Sequence, residues 1–531
     1  MKTMNRFFLT SLAAAALGLG ATAQAQTLRF ASQGDPQTMD PHSQNESFTN
    51  SVNQQVYEYL TSRDKQLNFV PGLATAWEQV SPLKWRFKLR QGVKFHDGSA
   101  FNADDVVYSI NRAKEPTSQI AVYANAVGTP KKIDDYTVEF EFELAKINPI
   151  FLEHIAPLFI MDKEWSEKNK ATKPQDFKNK EEHYAAMNAN GTGPYMLVKR
   201  EPGIKTTWKR NPNYWGKIEG NVQEVVFTPI GNDATRSAAL ISGELDFILD
   251  PPPRDVAKLR STAGVKVIDG PENRIVFIGM DQFRDELQYS NVKGKNPFKD
   301  VRVRKALYHA VDIETMKTKL MNGQSYPSGG NTPSPKAYFA DPKIEARYPF
   351  DINQAKKLMA EAGYPNGFEV QLDCPNNRYI QDEEICIALA AMWEKIGVKI
   401  KVVAQPRVTY FPKLEKFDTS MYMLGWGGSV TDAETTLTPV MRNLQPTGGV
   451  GSYNYGRSTN AKFDEFAAKS SVEADPVKRK ELILAALTEW KEQVHTIPLH
   501  RQVIPWAARS TLTAVHRPDN YFIWEWVTIG K

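Results

Sequence analysis

The run from Glu224 to Leu249 limits the fold more than any other stretch of the chain. EVVFTPI has the apolar, β-branched content of a buried strand, Asp233 can cap the helix that follows, Gly243 can stop it, and Leu245 to Leu249 makes another strand. Strand, helix and strand at this spacing form a crossover unit of an α/β layer. The pattern returns further on. RIVFIGM (Arg274 to Met280) precedes a helix from Arg302 to Asp312, and Asp351 with Gln354 can form a capping box opening a helix that ends at Gly363. FEVQLDC is then followed by a helix from about Asp382 to Ile396 and the strand KIKVVAQ. The fold class is therefore α/β. A chain of 531 residues exceeds what one core normally serves, so two or three domains are expected. Two such lobes leave a crevice outside their strand ends, where ligands of these sheets bind.

A second stretch, Pro71 to Ala113, contains a complete strand, turn and helix. Trp85, Phe87 and Leu89 alternate with Arg86, Lys88 and Arg90, Asp97-Gly98 breaks the strand, and Asn102 can cap a helix with Asp104 and Asp105 in its first turn. TVEFEFEL, ending at Leu144, is a further alternating strand, and Ser47 to Leu60 has helical apolar spacing at Val52, Val56, Tyr59 and Leu60. The words of this stretch, P-x-L-A-x-x-W-E, W-x-F-x-L-R-x-G-V-K-F-H-D-G and A-x-D-V-V-x-S-I-x-R, resemble the signature of family 5 bacterial extracellular solute-binding proteins. G-T-G-P-Y at 191–195, V-R-x-A-L-x-x-A-V-D and E-A-G-Y-P-x-G-F extend the resemblance over nearly the whole chain.

The resemblance implies a two-lobe periplasmic-binding-protein fold (type II, cluster C) with an extra subdomain inserted in the first lobe. Lobe I would comprise 26–45, 192–279 and 497–531, the insert 46–191, and lobe II 280–496, with the chain crossing near Gly279 to Asp281 and near Gln493 to Thr496. It implies no enzyme but a receptor that hands its ligand to an inner-membrane ABC permease. That ligand would be a peptide or peptide-like solute. The alternatives are a non-peptide such as an opine, a small sugar or a metal chelate, or a chaperone-like role holding extended chains.

Candidate ligand contacts follow from the same likeness. Asn45, Glu46 and Ser47 lie in the loop that family members bring to the cleft; solvated loop residues are the competing reading. In MYMLGWGGSVTDAETTL, Gly425, Gly427 and Gly428 could offer backbone amides and carbonyls while Trp426 packs on a side chain. Peptide receptors have an aspartate three residues after this tryptophan to pair with the ligand ammonium. This chain has Ser429 there, so either Asp432 takes the role or the ligand lacks the group. Arg378 beside Tyr379, and Arg407 further on, are candidate anion clamps, against the reading that they are merely exposed.

The remaining features narrow the class. Lys2 and Arg6, an apolar run from Phe7 to Leu19 and Ala23-Gln24-Ala25 read as a signal peptide cleaved after Ala25, which places the mature, monomeric chain in the periplasm. That run is shorter than the ~20 residues of a spanning helix. Lysine and arginine number 66 against 61 acids without a long run of one sign, which gives no sign of nucleic acid or a membrane surface as partner. Cys374 and Cys386 could form a disulfide or remain separate thiols. No zinc spacing, nucleotide loop or G-x-S-x-G is present. No cofactor, metal or catalytic residue is expected.

Overall fold

The computed structural model describes residues 26–143, 150–333, 341–427, 432–447 and 449–530, so the expected signal peptide lies outside the described residues. Its centre is one large mixed sheet. The order across it runs Tyr195–Glu201, Lys205–Arg210, Glu224–Pro229, Thr27–Ser32, Phe247–Leu249, Thr496–Arg509, Val265–Met280, Met421–Gly427, Glu369–Pro375 and Lys399–Gln405, with Ser325–Pro327 added on Thr496–Arg509. The expected crossover is present, since Thr27–Ser32 pairs in parallel with both Glu224–Pro229 and Phe247–Leu249. Helix Asp233–Ser242 connects the last two. Its cap is Asn232 rather than Asp233, because the Asn232 side chain accepts from Thr235 N at 2.9 Å and Asp233 falls in the first turn. Gly243 ends the helix at φ 83°, where a side chain would be strained.

Two long antiparallel strands, Val265–Met280 and Thr496–Arg509, carry the sheet from one lobe to the other. Phe247–Leu249 pairs with residues 506–508 at one end, and Met421–Gly427 pairs with 274–280 at the other. Their register is interrupted between Pro271 and Ile275 and between Val276 and Phe277. On the first side the core gathers Phe30, Trp208, Phe227, Phe247, Trp506 and Trp524. On the second it gathers Val276, Ile278, Leu372, Leu389, Trp393 and Ile497.

The Pro71 to Ala113 stretch belongs to a separate antiparallel sheet, ordered Ala74–Ser81, Lys84–Leu89, Thr137–Glu141, Thr129–Asp134. Helix Ala103–Ala113 covers it, burying Val106 and Ile110 with Phe87, Val138 and Phe140. The expected cap is realised as a full box: Asn102 accepts from Asp104 N at 2.7 Å and Asp105 accepts from Asn102 N at 2.9 Å. From this helix Arg112 reaches back to Asp40 at 2.7 Å, both side chains wholly buried, and so fastens the unit to the segment that follows strand Thr27–Ser32.

One expected helix is cut short. Helix Ser47–Asn53 stops before Val56, Tyr59 and Leu60. The backbone beyond it is claimed from outside: Gln55 O accepts from Tyr195 N and Val56 O from Gly193 N, while Glu58–Tyr59 pairs with Phe159–Ile160. Apolar spacing cannot reveal such a competitor for the carbonyls. Among the described residues, no helix is long and apolar enough to cross a membrane.

Candidate functional site

The elements above converge on a cleft of about 780 Å³, partly open to solvent. Its charged centre is Glu46. Sitting just before helix Ser47–Asn53, Glu46 accepts from Phe48 N at 3.1 Å and from Thr49 N at 2.8 Å, the work of a helix cap. The same carboxylate lies 2.9 Å from Arg378 Nε and 3.4 Å from Arg407 Nη1. Burial opposes its charge, but the two guanidiniums win and hold it down to about 2.

Arg378 and Tyr379 are presented by the loop after strand Glu369–Pro375. Asp382 shapes this loop, accepting from Arg378 N at 2.8 Å and Tyr379 N at 3.0 Å. Cys374 and Cys386 are disulfide-bonded, so the loop is closed covalently as well. At a sequence separation of 12, the cross-link is worth about 3 kcal/mol by loop-closure entropy. Reduction, or replacement of both cysteines by serine, is expected to lower stability by about that amount and to weaken ligand binding. Chemical denaturation with and without dithiothreitol measures the first effect, and an unchanged midpoint would refute it.

Arg274 enters from strand Val265–Met280 as a third cation. It donates to Glu272 at 2.8 Å, to Ser47 Oγ at 2.6 Å and to Gly425 O at 3.2 Å. Gly425 N in turn donates to the Tyr379 hydroxyl at 2.7 Å. The backbone of Gly425, expected to be free for a ligand, is thus already engaged. Glycine is needed there for another reason: a Cβ would come within 2.5 Å of the Tyr379 ring. At Gly427 a Cβ would come within 1.9 Å of Asn273 O on the neighbouring strand. Trp426 is 7% exposed. Its Nε1 donates to Thr435 O at 3.0 Å and its ring packs 4.8 Å from Tyr453, so it forms part of the wall.

Of the residues singled out in the sequence, Asn45, Glu46, Ser47, Arg378, Tyr379, Gly425, Trp426 and Gly427 line this cleft. Arg407 stands behind Arg378, bonded to Asn377 O and lining a smaller adjoining hollow. Gly428 and Ser429 lie outside the described residues. Asp432 lies apart from these residues. Its carboxylate is taken by both terminal nitrogens of Arg479, at 2.8 and 2.6 Å, and it is not part of the lining. Sequence reasoning missed Arg274, Glu415, Tyr453, Tyr455 and Tyr521, all of which line the cleft. An arginine opening the apolar strand RIVFIGM was a usable signal for the first. Glu415, between the two lysines of KLEKF, gave none.

Residues 68–446 match the family model for bacterial extracellular solute-binding proteins, family 5. The chain belongs to that family, which consists of solute-binding receptors. It is similar to heme-binding protein A of Haemophilus influenzae (28% identity, 86% of this chain and 83% of the relative). It is also similar to the dipeptide-binding protein of Escherichia coli K12 (26%, 91% and 90%). Among solved structures, the periplasmic binding protein DppA of Helicobacter pylori in complex with the peptide STSA superposes with a TM-score of 0.84 at 21% identity, over 95% of this chain and 98% of that one. The type II two-lobe fold expected from the sequence is the fold of these neighbours.

Proposed function

We propose that the protein is the periplasmic receptor of an ABC importer, which captures a small peptide or peptide-like solute bearing a carboxylate between its lobes and delivers it to an inner-membrane permease. The observation that carries this reading is the sharing of one carboxylate, Glu46, between two buried guanidiniums, Arg378 and Arg407. That arrangement leaves cationic capacity for a second carboxylate at the wall of a partly open cleft. Relatives named for dipeptide and glutathione binding, and neighbours solved with peptides, support the same ligand class. Capture needs no covalent chemistry. The register interruptions near Pro271 and Ile275 are where we place the bending of the paired strands as the lobes close, a few residues before the crossing expected at Gly279. Export with cleavage after Ala25 and a monomeric state belong to the same proposal.

A second reading, a non-peptide acid such as an opine, is favoured by one feature. Gly425 is bonded by Tyr379 and Arg274, which removes a backbone partner that an extended peptide would use. One neighbour was solved with agropinic acid. Native mass spectrometry of protein purified from its own periplasm, with identification of the solute released on denaturation, separates the readings. Calorimetry with that solute is expected to show a roughly 10- to 100-fold loss of affinity for Arg378→Ala, the range for charge-assisted hydrogen bonds of ~1.5–3 kcal/mol. A solute without an acidic group would require the proposal to be withdrawn.

A further inference from the structure

Helix Arg407–Glu415 ends at the cleft, and its last residue contributes a carboxylate to the lining. Glu415 Oε2 is shielded from solvent and makes no hydrogen bond of good geometry, the amide of Gln44 being its one polar neighbour of that kind. Around it stand the amide of Gln44 and, farther out, the charges of Lys178, Asp176 and Lys416. Its own charge bears on Tyr453 and Tyr455, whose rings lie 6.0 Å apart and continue the wall begun by Trp426. The hydroxyl of Tyr453 is already committed to Gln119 O at 2.6 Å. A desolvated carboxylate in a wall that it shares with aromatic rings is a poor arrangement for an empty cleft and a good one for a cation, which the acid attracts and aromatic rings can also hold.

We propose that Glu415 receives the ammonium group of the solute, so that the ligand class is a primary amine that also carries a carboxylate. This inference rests on the receptor reading above and deepens it. The carboxylate assigned to this role lies eleven positions before Trp426 in the chain, not after it, whereas Asp432 is paired with Arg479. Burial also pushes Glu415 up to about 7, with Lys178 and Gln44 only partly offsetting it. A bound ammonium favours the ionised form, so binding releases a proton, and affinity should rise with pH by up to about 10-fold per unit below pH ~7.

The test uses the full mature protein with dipeptides of free N-terminus and the same dipeptides N-acetylated, screened by thermal shift and measured by calorimetry between about pH 5.5 and 8.5. Free dipeptides are expected to bind at least about 30-fold more tightly than acetylated ones, and Glu415→Gln to remove both that preference and the pH slope. Equal binding of acetylated dipeptides, or full affinity and slope in Glu415→Gln, would overturn the inference and leave the receptor reading standing. Binding of neither set would overturn the peptide reading along with it. Should the variant fail to fold, the acetylation and pH comparisons on the unaltered protein decide alone.

Discussion

Glu46→Ala is expected to cost at least ~3–5 kcal/mol of stability, the usual consequence of removing one partner from a buried ion pair. The loss comes from what stays behind. Arg378 and Arg407 would face each other without the carboxylate that lies 2.9 and 3.4 Å from them, and helix Ser47–Asn53 would lose the acceptor of its first amides. Glu46→Gln keeps a capping oxygen and removes only the charge, so its stability should fall between those of the alanine variant and the unaltered protein. Acetate or a bound acidic solute should restore part of the loss in the alanine variant by occupying the gap between the guanidiniums. Urea denaturation of the three proteins, with and without acetate, measures this. A loss below about 1 kcal/mol for the alanine variant would mean that the cluster is hydrated and that the pair behaves as one at the surface. The pH dependence has a definite sign. Glu46 is held down to about 2 from its ordinary 4.5, so its contribution is complete above about pH 4.5 and is lost as pH falls towards 2.

Asp40→Ala is expected to be equally severe, at ~3–5 kcal/mol, for a different reason. Arg112 is anchored on all sides: Nη1 and Nη2 donate to Asp40 at 2.9 and 2.7 Å, Nε to Ala171 O at 2.9 Å, and Nη2 also to Lys173 O at 2.8 Å. Nη1 also meets His42 Nδ1 at 3.0 Å, which makes that nitrogen the acceptor and leaves Nε2–H to donate to Phe159 O. Burial, and then Arg112, push His42 down to about 3, so the imidazole stays neutral. Without Asp40 the guanidinium has carbonyls but no counter-charge. The four-stranded antiparallel unit should loosen from the large mixed sheet, which calorimetric unfolding would register as a lower or split transition. A single transition at the unaltered temperature would refute the assignment. Burial works against the Asp40 charge, yet Arg112 holds it at about 2, so its stabilisation disappears as pH falls from about 4 to 2.

The sequence made local rules visible wherever they acted alone. Asn102 and Asp105 capped a helix as their spacing implied, and the 224–249 crossover appeared with its cap displaced by one residue. Competition between distant segments was not visible. The Ser47 to Leu60 pattern fits a helix, but Gly193 and Tyr195, far along the chain, take the carbonyls of Val56 and Gln55. The candidate site divided in the same way. Glu46, Arg378 and Trp426, which line the cleft, stand in recognisable words, whereas the pairing of Asp432 with Arg479, 47 residues on, leaves no local trace. Glu415 sits in a helix end like any other, and only the fold turns it towards the aromatic wall.

Strands Val265–Met280 and Thr496–Arg509 run through both halves of the molecule, which has a bearing on modularity. Severing the chain between the lobes would expose the bare edges of both ladders at once, where each half now serves as the other's neighbour. Neither half could be exchanged with that of another receptor as a free-standing part. New ligand preferences in a scaffold of this kind must instead arise by substitution along the cleft wall, on a frame inherited whole.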